Sequence, residues 1–188
     1  MAAGARDRIL NAADPLFYGK GIHAVSVDDV VARAKTAKTT VYLHFSGKDD
    51  LVATYLARRR EAWREHVEQE LRRIGGSPED RIDRFFAVLA TACRAPGFRG
   101  CPFINATAEL PDRRHPARKV VAEYRAWLLD LLTGLAREAK IAKPAALASQ
   151  LMLLYDAAMV GKQFDPAGDA ELQARAAARQ LVEAARRR

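Results

Sequence analysis

Cysteine is nearly missing from this chain, whose 188 residues include only Cys93 and Cys101. Two thiols cannot supply the several bridges that staple small secreted domains, so the fold has to rest on a hydrophobic core. Long apolar runs are missing as well, and none approaches the ~18–20 residues of a membrane span. The opening stretch MAAGARDR lacks the apolar segment of a secretory leader, so the expected location is cytoplasmic, with no membrane partner. Strand signals are scarce, because β-branched residues do not alternate in runs between turns. Enzyme patterns are lacking too: there is no phosphate-cradling glycine loop, no G-x-S-x-G, no paired carboxylates and no metal-ligand spacing. The four histidines, His23, His44, His66 and His115, are scattered with no cysteine or acid grouped beside them. Neither catalysis nor a metal nor a resident cofactor is expected.

What the chain has in abundance is helix-forming pattern. Its apolar share of 49% marks it as globular, and its length suffices to bury a sizeable core. Apolar residues recur at three, four and seven in one segment after another, which predicts an all-α fold of about nine helices. After three short N-terminal helices, a long one should run from Lys48 to Ile74 and be stopped by Gly75 and Gly76. Ser77 and Pro78 read as the cap and first position of the next, which ends before Pro96 and Gly97. Further helices are expected over Phe103–Glu109, Pro116–Ala139 and Leu147–Gly161. A last one should run to Ala185, capped by Asp169. The chain is expected to divide into residues 1–47 and residues 48–188, with the junction carried by the Lys48–Ile74 helix rather than by a flexible linker.

The formal charge of +8 suits a polyanionic partner, but it does not locate one. Residues 1–75 hold 13 Lys/Arg against 10 Asp/Glu, and the remainder holds 18 against 13, so both parts are basic. The local distribution is more telling. From Arg33 to Lys48 there are four Lys/Arg and no acid. Within and just before this run, Val27, Val30, Val31 and Ala34 give one short helix a buried face, with Ser26 as its cap and Asp28 and Asp29 at the positive end of its dipole. After a break at Lys35–Ala37, a second helix spans Lys38–His44. Val41 and Phe45 point inward, which leaves Lys38, Thr39, Thr40, Tyr42 and His44 outward. A face made of donors and rings suits a helix lying in the major groove of DNA. Thr39 and Thr40 are candidates for base edges, and Lys38 for base or phosphate. Tyr42, His44 and Lys48 are candidates for phosphate, Lys48 standing at a helix N-terminus. The competing reading makes Tyr42 and His44 surface-packed aromatics.

The stretch also resembles the N-terminal domain of TetR-type transcriptional regulators. The likeness is carried by Ile9, Leu10, Ala12, Ala13, Leu16, Phe17 and Gly21, then by Thr40, Val41, Tyr42, His44 and Phe45, and finally by Ser46 and Lys48, over roughly residues 6–56. It departs from the family in the turn, where Lys35, Thr36 and Ala37 replace a glycine, an aliphatic residue and a serine. Lysine tolerates positive φ poorly, and alanine cannot cap a helix. Pro15 inside the first helix is a further departure. The resemblance implies an all-helical regulatory half and a homodimer reading a near-palindromic operator in double-stranded DNA.

In that second half, large side chains recur on successive helices: Phe86 and Leu89, then Phe103, then Tyr124 and Trp127, then Met152, Tyr155 and Met159. Polar Asn105 and Asp156 are set among them. Any one of these reads as core, with the polar pair bonded helix to helix; together, and with the resemblance, they are the candidate pocket for a small apolar effector. Leu147, Leu151 and Leu154, followed by Ala174, Ala178, Leu181 and Val182, form stripes on the last two helices. These either complete the core of one chain or form a four-helix interface between two copies, and the resemblance favours the interface. The resulting expectation is a sequence-specific transcriptional regulator, a homodimeric repressor released from its operator by the effector. The alternative is a helical protein–protein interaction module whose helix-turn-helix is impaired by its turn.

Overall fold

The computed structural model describes residues 4–74 and 76–187; Gly75, part of the expected helix stop, lies outside them. Among the described residues there are nine helices and no strand. They are α1 Ala5–Lys20, α2 Val27–Ala34, α3 Lys38–His44, α4 Lys48–Ile74, α5 Pro78–Cys93, α6 Pro102–Glu109, α7 Pro116–Glu138, α8 Pro144–Phe164 and α9 Ala170–Arg186. The Ser77 cap and the Pro78 start are as expected: Ser77 Oγ accepts the Asp80 amide at 3.2 Å, and Asp80 accepts the Ser77 amide at 3.0 Å. Asp169 precedes α9 as expected, but its carboxylate makes no capping bond and instead accepts from Gln173 Nε2 at 3.0 Å.

The chain forms two compact units. The first holds the residues up to Glu61 together with Pro102–Tyr124, so α6 and the first part of α7 belong with the three short helices. Its core is built on α1, whose Ile9, Leu10, Ala12, Ala13, Leu16 and Phe17 are buried. Val30, Val41, Phe45 and Tyr55 are buried in the same unit. Each of the larger of these side chains, alanines aside, contributes about 1.5–3 kcal/mol on leaving water. Arg59 closes the unit at one side, giving two hydrogen bonds to Asp14 at 3.0 and 2.5 Å and covering the Tyr18 ring at 4.1 Å. α1 runs straight through Pro15. Pro15 and Asn11, whose carbonyl the proline cannot bond, are both exposed residues, on the side of α1 away from its buried row.

The second unit holds Ala62–Cys101 and the residues from Arg125 onward, with α9 packed on α8 and α5. A Cβ at Gly161 would stand 2.7 Å from Ala170 Cβ, so a glycine is what allows the end of α8 to pass the start of α9. Asp83 on α5 is gripped by two arginines one turn apart on α9. Arg175 donates at 2.8 and 2.6 Å, and Arg179 at 2.6 and 2.9 Å. Burial alone would raise the Asp83 pKa, but the hydrogen bonds and charges of the two guanidiniums outweigh it and hold the carboxyl far below the usual range. A carboxylate depressed in this way stabilises the fold fully above the ordinary aspartate pKa of about 4. That stability is lost as pH falls through the folded value. Asp83→Asn is therefore expected to cost about 1–3 kcal/mol near neutrality. The gap from the parent protein should narrow below about pH 4, as read from urea midpoints across pH.

Candidate nucleic-acid interface

The position of α3 is set from α2. Ser26 and Asp29 form a reciprocal capping box: Ser26 Oγ accepts the Asp29 amide at 3.1 Å, and Asp29 Oδ2 accepts the Ser26 amide at 2.7 Å. The bonds from the Ser26 side chain and backbone hold the Asp29 carboxyl below its usual pKa. α2 ends on Lys35 with φ 50 and ψ 52, the left-handed conformation that glycine adopts freely and a lysine adopts at a cost of ~1–2 kcal/mol. α3 then begins at Lys38, preceded by Ala37, which is extended at φ −84 and ψ 149 and offers no side-chain cap. Both features follow from the unusual turn sequence.

α3 buries Val41, and the following Phe45 is also buried. It exposes Lys38, Thr39, Tyr42 and Leu43, while Thr40 and His44 are half-buried at the edges of that face. The outward row is thus two pairs one turn apart, 38/42 and 39/43. Leu43, 78% exposed, is a member that the sequence pattern misses, because a lone apolar residue beside a tyrosine has no periodic signal. Lys38 is already engaged, its Nζ standing 2.8 Å from Asp28 Oδ1 on α2, and the bond to Asp28 raises its pKa. Lys48, half-buried, is the first residue of α4, whose entry is fixed by Asp50 accepting the Ser46 amide at 2.9 Å.

Two contacts tie the helices around α3 to later chain, and neither is visible in the sequence. His23, in the loop after α1, donates its amide to Glu109 Oε2 at 2.9 Å, and its Nε2 meets the Glu109 carbonyl at 2.5 Å. His115, between α6 and α7, accepts the Ala117 amide on Nδ1 at 3.1 Å, and its Nε2 stands 3.3 Å from Asp49 of α4. The end of α6 and the start of α7 are thereby fastened to the loop after α1 and to the first turn of α4.

The remaining expected site residues fall in both units. Phe103 and Tyr124 stack face to face at 3.8 Å in the first unit, where Asn105 is half-buried. Phe86, Leu89, Met152, Tyr155 and Met159 are buried in the second, with Trp127 half-buried. There Asp156 accepts two bonds from Arg125, at 2.5 and 2.8 Å, so this polar residue has its partner within the chain. Of the stripe read as an interface, Leu147, Leu151, Ala174, Ala178 and Val182 are buried inside the chain. Leu154 and Leu181 are half-buried. The large apolar residues that α8 and α9 do expose are Leu153, Phe164 and Leu172. Both cysteines are buried; burial, helped by the Glu171 carboxylate, pushes the Cys93 thiol up to about 12, which leaves it unreactive at neutral pH. Among the described residues no group of three or more His, Cys, Asp or Glu is placed to hold a metal, and no helix is long and apolar enough to cross a membrane.

Comparison with known proteins agrees with this geometry. Residues 9–55 match the family model described as bacterial regulatory proteins of the tetR family, and residues 78–179 match the tetracyclin repressor-like C-terminal domain. A crystal structure of a TetR-family transcriptional regulator from Streptomyces coelicolor is 35% identical, covers 97% of this chain and 94% of its own, and superposes with a TM-score of 0.85. An uncharacterised HTH-type transcriptional regulator of Lactococcus lactis subsp. lactis is 22% identical over 154 residues, 78% of this chain and 79% of its own. The HTH-type transcriptional activator FasR of Mycolicibacterium smegmatis is 36% identical over 67 residues, 36% of this chain and 31% of its own.

Proposed function

Because the chain belongs to the TetR family of helix-turn-helix transcriptional regulators, we propose that it is a homodimeric repressor whose grip on a near-palindromic operator is released by a small apolar molecule. The observation that carries the DNA-binding part is the outward face of α3. Lys38, Thr39, Tyr42 and Leu43 project from a helix anchored by Val41 and Phe45, in a run from Arg33 to Lys48 that contains no acid. Thr39 and the edge residue Thr40 are assigned to base edges, and Tyr42, His44 and Lys48 to phosphates, with Lys38 able to serve either once it leaves Asp28.

Dimerisation is supported by Leu153 and Phe164 on α8 and Leu172 on α9. These exposed apolar side chains lie on the elements that the C-terminal family model covers, and a second copy would bury them. The effector is assigned to the apolar interior of the second unit, where Phe86, Leu89, Tyr155 and the deformable side chains of Met152 and Met159 are gathered. Release follows if the molecule favours a state in which the His23–Glu109 and His115–Asp49 contacts shift. It can do so only to the extent of its differential affinity for the two states.

The test is a titration of the full-length protein against duplex from the region upstream of its own gene, at increasing salt. The expected result is binding tighter than to random duplex, with log affinity falling linearly against log salt. Equal affinity for random duplex would remove this operator from the proposal and favour the protein–protein module.

A further inference from the structure

On α3, Thr39 and Leu43 are four residues apart, which places their side chains one above the other on the exposed face. This row carries the Thr39 methyl and the whole Leu43 isobutyl group, whereas the neighbouring row of Lys38 and Tyr42 is polar-tipped. Leu43 is 78% exposed, more than Tyr42 at 51%, the other large apolar side chain exposed among the described residues of the first unit. An exposed leucine is unremarkable on an ordinary surface. On a helix that enters a groove it is different, since the groove desolvates whatever that face presents. The apolar feature on base-pair edges in the major groove is the thymine C5-methyl group, so a leucine there discriminates for thymine by contact and against bases that offer polar atoms at that place.

We propose that Leu43 is a specificity-determining residue that reads a thymine methyl in each half of the operator. The inference rests on the DNA-binding reading above and adds to it a side chain with no hydrogen-bonding capacity. No polar contact to DNA is available to Leu43, so its contribution is carried by the methyl group alone.

The experiment starts from duplexes selected out of a random pool by the full-length protein. The selected duplex is resynthesised with each thymine replaced singly by deoxyuridine, which deletes the methyl and leaves every hydrogen-bonding atom in place. One thymine per half-site is expected to matter, its replacement weakening the parent protein about fourfold, the value of one buried methyl-sized group. Leu43→Ala should bind the parent and uracil duplexes equally, and Leu43→Met, which keeps apolar reach, should retain the preference. Because Leu43 is so exposed, both variants should match the parent in helicity and melting temperature. Two results overturn the assignment: no thymine showing the effect, or Leu43→Ala showing it undiminished. If the parent protein enriches no duplex at all, the DNA-binding reading falls and this inference falls with it. A selected operator indifferent to its methyl groups overturns the role of Leu43 alone.

Discussion

Replacing Glu171 with alanine is expected to lower stability by about 3–5 kcal/mol, the usual cost of removing one partner of a buried ion pair. Glu171 has no exposed surface. Its Oε1 accepts from Arg94 Nε at 2.8 Å. Its Oε2 has no hydrogen-bond partner among the described residues, and Lys162 Nζ stands 3.7 Å away. The two cations are not equivalent. Arg94 is 54% exposed and can return to water, but the Lys162 side chain is 11% exposed and is held by the Gly168 carbonyl at 2.7 Å. Loss of the carboxylate therefore strands a buried ammonium where α8 meets α9. Glu171→Gln keeps an acceptor for Arg94 and should cost less than alanine. Replacing the pair together, Glu171→Leu with Lys162→Met, should recover most of the loss, because the uncompensated charge goes with its partner. Urea midpoints of the four proteins give the ordering, and equal stability of Glu171→Ala and the parent would contradict the account.

The second large effect concerns Lys48. If it neutralises one phosphate in each protomer, Lys48→Ala removes two such contacts from a dimer. Each contact contributes about 0.9 to the slope of log affinity against log salt, so the slope should fall by roughly 1.8. At 0.1 M salt the variant should bind about 60-fold more weakly, with the two proteins converging near 1 M. The loss should be nearly the same for operator and random duplex, since a phosphate contact positions the protein without reading sequence. A loss confined to one operator sequence would reassign Lys48 to a base.

These predictions draw unequally on what the sequence reveals. The helices were legible because their signals are local: apolar spacing, the Ser26 and Ser77 capping boxes, and proline at the start of α5 and α8. The anomalies in the turn were legible as well, since Lys35 has the left-handed φ that its place in the turn implied. Partner choice was not legible. A stripe such as Ala174, Ala178 and Val182 has the same spacing whether it meets α5 and α8 or a second chain, and here it is buried within the chain. Glu171 gave no signal either, because a glutamate near a helix start resembles any solvated acid. The fastening of His23 to Glu109 joins residues 86 apart in sequence, beyond the reach of periodicity.

α3 is seven residues long, starts without a side-chain cap and follows a lysine in a conformation suited to glycine. Isolated helices of that length are marginal in water, so α3 persists through its packing at Val41 and Phe45. The intact reading helix is consequently one state in an equilibrium with frayed ones, and the dissociation constant measured at an operator is the intrinsic one divided by the fraction of molecules in which α3 is formed. Amide protons of α3 should then be among the first to exchange in the free protein and should slow on the operator. Lys35 and Ala37, which stand in the turn before α3 rather than on its outward face, would thereby influence how tightly every sequence is held.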